Sequence, residues 1–240
     1  MPKIYRDDVI SIALGEVGYM EKASDADLDS KTGNAGHNNY TKYARDLWLA
    51  DPHWYQGPKQ GYDWCAVFVD DCIYEAAGRD SAYAQAAKYY TGPYGAGCEF
   101  AANYYKAAGA WYHDPEPGDQ IFFGYNGNFQ HTGLVEKVVD GVVYTIEGNS
   151  NDMVRRRSYS TYDTSILGYG RPKYDGDKRP ADNPFVDVPS DAWFADAVQW
   201  AYDNGITAGT DSTHFSPDAP CTRAQVVQML YKAFGGGGNE

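Results

Sequence analysis

"HTGLVEKVVDGVVYTIEGNS", residues 131 to 150, reads as two strand-forming runs joined at Asp140-Gly141, a strong short-range hairpin signal. Its polar residues gather at the open end: His131 begins one run, and Glu147 and Asn149 end the other. Side chains alternate along a strand, so the turn decides which of them share a face. A two-residue Asp140-Gly141 turn pairs Val139 with Val142 and puts His131 and Glu147 on opposite faces. A three-residue loop, Val139-Asp140-Gly141 with Gly141 left-handed, pairs Val138 with Val142. His131 then lies opposite Asn149, with Glu147 on its own face. The pattern predicts that loop or an equivalent bulge.

Further strands flank the hairpin. "PEPGDQIFFGYN" (115–126) is a turn leading into a strand, and "SILGYGRPKY" (165–174) is the last strand candidate. The upstream texture differs. Val9, Ile12, Ala13 and Val17 recur at helical spacing, "NYTKYARDLWLA" (39–50) predicts a second helix, and the run around Cys65 ends at Gly78, a helix stop. Residues 80–90 and 98–108 fit short helices. Helices first and strands afterwards predict an α+β domain over 1–174. A charged, proline-broken linker follows at 175–184, then a small helical unit at 185–234 and a flexible tail at 235–240.

The 240-residue chain is 43% hydrophobic, enough for a buried core, and its net charge of -13 argues against nucleic acid and anionic membrane as partners. No stretch approaches the ~20 apolar residues of a membrane span. The first residues are interrupted by Asp7, Asp8 and Glu16 and do not read as a secretory signal. The expectation is a cytoplasmic chain, one whose leader has been removed, or one exported by another route.

Four cysteines without a CxxC pair argue against structural zinc. Cys65 and Cys72, seven residues apart on one helix, lie about 10 Å apart at ~1.5 Å per residue, beyond disulfide reach. Cys65 is expected to be a free thiol. Asp63 is a natural N-cap for a helix beginning at Trp64, which places Cys65 in the first turn, where the dipole favours thiolate. Position alone also fits a small buried hydrophobe. His131, at a strand mouth, is the candidate base; Glu147 and Asn149 are candidates to orient it. His37, His53 and His113 are expected at the surface.

"GYDWCAVFVD", "HTGLVEKV" and "IEGNS", in that order, resemble the CHAP family of cysteine amidohydrolases and peptidases that cut peptidoglycan. "EVGYMEKAS" and "NNYTKYARDL" resemble CHAP proteins of Gram-positive bacteria and their phages. The resemblance covers roughly residues 4 to 174. It implies a papain-like fold, Cys65 as nucleophile, His131 as base then acid, Glu147 orienting His131, and Asn149 assisting. Tyr62 is a candidate oxyanion donor or substrate contact, with packing as the competing role. No cofactor is required by this chemistry. Some CHAP domains bind calcium near the N-terminus, and Asp25, Asp27 and Asp29 alternate in "SDADLDS". That stretch lacks the glycine and glutamate of an EF-hand loop, so a solvated loop competes.

"FVDVP", "WFADAVQWAYDNGITAGT" and "FSPDAPCTRAQVVQMLYKAF" resemble an S-layer homology repeat. That family anchors proteins to secondary wall polymers, often as three copies together. Trp193 and Thr222-Arg223 match its pattern, with Arg223 the expected anion contact and capping its alternative role; Cys221 is expected to be buried. The combined expectation is an extracellular, wall-located peptidoglycan hydrolase, amidase or endopeptidase, of phage or bacterial origin. It would be monomeric or self-associated through the repeat. The rivals are a non-catalytic wall-binding protein and a cysteine peptidase acting on protein.

Overall fold

A computed structural model describes residues 3–92, 95–177, 184–189 and 192–234. The centre of the expected linker, 178–183, and the expected tail, 235–240, lie outside the described residues. The chain divides into two compact units, Met1–Lys178 and Arg179–Glu240.

The first unit is α+β. Its helices come first: α1 Arg6–Gly15, α2 Lys42–Ala50, α3 Cys65–Ala76, α4 Ser81–Ala87 and α5 Cys98–Ala107. Thr41 caps α2 by accepting from Ala44 N, and Asp80 caps α4 by accepting from Tyr83 N, each satisfying an orphan amide of a first turn. The start of α3 departs from expectation. Trp64, not Asp63, is its N-cap and makes no side-chain cap bond. The Asp63 carboxylate instead accepts from Asn149 Nδ2 at 3.2 Å, across 86 residues of sequence. Helix α3 ends just before Gly78, which is left-handed at φ +65°.

Six strands form one antiparallel sheet: β1 Trp111–Tyr112, β2 Gln120–Tyr125, β3 Asn128–Val139, β4 Val142–Glu147, β5 Arg155–Ser160 and β6 Ile166–Gly170, in the order β1-β6-β2-β3-β4-β5. Strand β5, "RRRSYS", carries no apolar alternation to announce it, and β4 recruits it as an edge strand along its whole length.

The β3–β4 turn is the two-residue form. Asp140 and Gly141 are both left-handed (φ +50° and +74°), and Val139 pairs with Val142, as a type I′ turn requires. That register alone would part His131 from Glu147. A bulge reverses it: Val135 pairs with Thr145 but Lys137 with Tyr144, leaving Glu136 as the extra residue. Beyond it Leu134 faces Ile146, so Gly133 and His131 return to the face of Glu147. The equivalent bulge, rather than the three-residue loop, sets the register. Arg156 of β5 grips the bulged Glu136 through two bonds of 2.6 and 2.8 Å.

The main core lies where α1, α2 and α3 meet the sheet. Val67, Phe68, Val69, Cys72 and Ile73 of α3 pack with Val9, Leu47, Leu134 and Ile146. A second cluster holds Ile121, Phe123, Val135, Val143 and Tyr169. Midway along α3, buried Asp70 accepts from Lys88, Tyr55 and Tyr90, which compensates a charge that burial would otherwise make costly.

The second unit contains α6 Ala195–Asp203 and α7 Arg223–Phe234 around a small cluster of Phe185, Val188, Ala195 and Val198. No residue of α7 is buried. Cys221, expected in a core, is exposed; it precedes the cap of an exposed helix, where nothing closes over it. Among the described residues, no helix is long and apolar enough to cross a membrane.

Candidate active site

Three elements converge on the Cys65 sulfur. Helix α3 begins at Cys65, which is only 6% exposed, so the thiol sits in the first turn. Strand β3 supplies His131, paired across to Phe123 of β2, where a second bulge leaves Gln130 extra. Bulges re-aim side chains, and here the imidazole comes under the influence of the Cys65 sulfur while stacking on the Phe123 ring, centroids 5.9 Å apart. Strand β4 supplies Glu147, fully buried, whose Oε2 lies 3.0 Å from His131 Nε2. With Nε2 on the carboxylate, Nδ1 is left for the thiol, which fixes the tautomer and ring orientation.

The other Glu147 oxygen accepts from Thr145 Oγ1 at 2.6 Å. Gly133, directly opposite Glu147, makes room for this arrangement. A Cβ there would stand 2.6 Å from Glu147 Cγ, which is the close approach that a glycine within a strand often marks.

The electrostatics favour a separated charge pair. The Cys65 thiol is held down at about 5, first by its hydrogen bond with Cys98 and then, against the opposing effect of burial, by His131 and the Thr132 amide. Burial alone would depress His131, but the Cys65 sulfur and the Glu147 carboxylate override it and raise the imidazole to about 9. Between those values the stable form is thiolate with imidazolium, and the two titrations belong to the pair. Such a pair can attack a carbonyl and return a proton to a leaving amine.

The remaining expected residues are placed differently. Asn149, left-handed at φ +54°, donates to Asp63 and ties the end of β4 to the approach of α3. Tyr62 is 62% exposed and lines a cleft of about 380 Å³ with Lys59, Asp63, Ala96, Gly97 and Phe100. The cleft adjoins both Cys65 and Cys98 along the chain. Asp29 accepts from Arg45 through both oxygens, at 2.6 and 2.9 Å. Among the described residues, the carboxylate and imidazole groups that gather closely are Glu21, His37 and Asp152, and Asp46, Asp71 and Glu75. Neither set contains Asp25, Asp27 or Asp29.

Cys98 had no signal in the sequence. It opens α5, 33 residues beyond Cys65, and its sulfur lies 3.6 Å from the Cys65 sulfur. Thr145 and Gly133 were within reach of the alternation argument, because both share a face with Glu147.

In the second unit, Thr222 and Gln225 form a reciprocal cap, with Thr222 N on Gln225 Oε1 (2.8 Å) and Gln225 N on Thr222 Oγ1 (3.2 Å). Capping therefore falls to Thr222 and leaves Arg223 exposed on the first turn of α7. Trp193 is 93% exposed and packs edge-on against Phe194.

Comparison with known proteins agrees with both halves. The CHAP domain family matches residues 57–149, and the S-layer homology domain family matches residues 184–227. The surface-layer 125 kDa protein of Lysinibacillus sphaericus is 31% identical over 104 residues, which is 42% of this chain and 8% of that protein. The solved structure of Ly7917 aligns at a TM-score of 0.37 and 12% identity, over 70% of this chain and 62% of that one. The chain thus spans less than two thirds of each. It carries a CHAP domain, of papain-like α+β fold, followed by an S-layer homology domain.

Proposed function

We propose that the protein is a cell-wall hydrolase that cuts an amide bond of peptidoglycan, held at the cell surface by its S-layer homology domain. The observation that carries this reading is the convergence at Cys65: a buried thiol at a helix start, an imidazole against it, and a buried carboxylate 3.0 Å behind that imidazole. A wall-binding module has no need of a buried carboxylate aimed at a histidine.

In the mechanism the Cys65 thiolate attacks the amide carbon. The Cys65 backbone N–H, at the start of α3, donates to the developing oxyanion. Protonated His131 gives its proton to the departing amine, with Glu147 holding the ring and stabilising its charge. A water, deprotonated by His131, then hydrolyses the thioester and frees Cys65. Tyr62, on the rim of the cleft, contacts the substrate.

The S-layer match and the surface-layer relative support a wall location. Arg223 offers a cation to an anionic wall polymer, and Trp193 an apolar face.

The decisive experiment digests purified sacculi with the wild type and with Cys65→Ala, and identifies the released ends by mass spectrometry. Loss of solubilisation by at least about a thousandfold is expected in Cys65→Ala. New L-alanine amino termini select amidase chemistry; other new termini within the stem or cross-bridge select an endopeptidase. Equal release by both proteins would end the reading.

A further inference from the structure

The buried thiol beside the nucleophile is not used by the mechanism above. Cys98 and Cys65 share one cluster with Ala101, Ala102, Tyr105 and Phe122. Their sulfurs are 3.6 Å apart, well outside the ~2.05 Å of a disulfide, so both are free thiols within hydrogen-bond range.

We propose that Cys98 is a positioning residue for the Cys65 nucleophile: its S–H, presented from the first residue of α5, donates to the Cys65 sulfur, fixes its direction and stabilises its negative charge. The inference rests on Cys65 being the nucleophile.

The surrounding groups assign the proton. Two thiolates this close in a buried site cannot both ionise, because each disfavours the other. Cys65 faces His131 of β3, itself backed by Glu147 of β4, and the Thr132 amide, so it is the sulfur that ionises. Cys98 faces Cys65 and feels the Asp63 carboxylate from the loop before α3; the hydrogen bond it gives to Cys65 and then burial push its own thiol upward. Tyr89 and Tyr105, the other titratable groups near this cluster, are raised by burial and stay neutral. Cys98 is thus the member that keeps its proton, and its bond is the first influence lowering Cys65.

The opening residue of α5 is not spent on capping, since Gly97 holds the N-cap position. The Cys98 side chain is therefore available to the neighbouring helix start.

The test measures iodoacetamide labelling of the Cys65 peptide by mass spectrometry, from about pH 4 to about pH 9, in wild type, Cys98→Ser and Cys98→Ala. All proteins are kept under reductant before labelling, and thermal melts confirm folding. Cys98→Ala is expected to move the inflection up by about one unit or more, cutting the rate near pH 5 about fivefold or more. Cys98→Ser, whose hydroxyl still donates, is expected to restore most of the shift. An unchanged inflection in Cys98→Ala overturns the proposal. So does an equal shift in both variants, which would indicate packing rather than hydrogen bonding. Sacculus digestion by the same wild-type sample separates this from the proposed function. A reactive, Cys98-dependent Cys65 without wall digestion would sink the hydrolase and leave the pair.

Discussion

Helices α3 and α7 are each twelve residues long and rich in apolar side chains, yet eleven residues of α3 are buried and none of α7 is. Val226, Val227, Leu230, Tyr231 and Phe234 of α7 all stand exposed. The difference lies in what each helix has to pack against. Helix α3 is enclosed by four other helices and the sheet, whereas among the described residues the second unit offers a small buried cluster of four residues. A unit of roughly fifty residues lies near the lower limit for building a core of its own. Apolar composition therefore does not guarantee burial; the surrounding layers decide it.

This contrast can be broken from either side. The largest effect belongs to the middle of α3: Lys88→Met leaves the Asp70 carboxylate buried and without its cation, and should cost about 3–5 kcal/mol in urea unfolding of the first unit. Phe68→Ala should cost a similar ~3–5 kcal/mol, since the ring is fully buried against Tyr43 and the glycine at 148.

Gly133→Ala comes next. The added Cβ collides with Glu147, so a loss of about 1–3 kcal/mol is expected, together with a fall in sacculus digestion of about tenfold or more as the carboxylate leaves His131. The start of α3 is then probed by pH. Activity should fall as pH drops through about 5, where the Cys65 thiolate takes up a proton. It should fall again as pH rises through about 9, where His131 loses its proton and can no longer supply the leaving amine. A rate profile with a single limb would break that assignment.

The smallest effect should come from α7: Phe234→Ala is expected to change stability by no more than about 0.5 kcal/mol in dilute solution. A larger, concentration-dependent change would sharpen the comparison by showing that a second chain covers the helix.

Much of this arrangement could be read in advance because it is local. The hairpin signal at Asp140-Gly141, the helical spacing before Cys65 and the polar open end of the hairpin depend on neighbouring residues. Face alternation even required a register correction, though not where it would occur. The parts that escaped are those made by distant segments. The "RRRSYS" strand exists because β4 offers an edge to pair with. Asp63 gives up the expected cap because Asn149 reaches it from another element. Cys98 sits beside Cys65 only once α3 and α5 are packed, and Cys221 is exposed because nothing in its small unit encloses it.

The bulge at Glu136 has a practical consequence for anyone redesigning this hairpin. Drawing that residue into regular pairing would set Leu134 opposite Glu147 and carry His131 to the side of the sheet away from Glu147. The site would be lost although every chemical group in it remained. Length changes beyond the Val139–Val142 pair leave the count untouched. The tip at Asp140-Gly141 is therefore the place to graft a label or an added loop, and the stretch from His131 to Val135 is the place to leave alone.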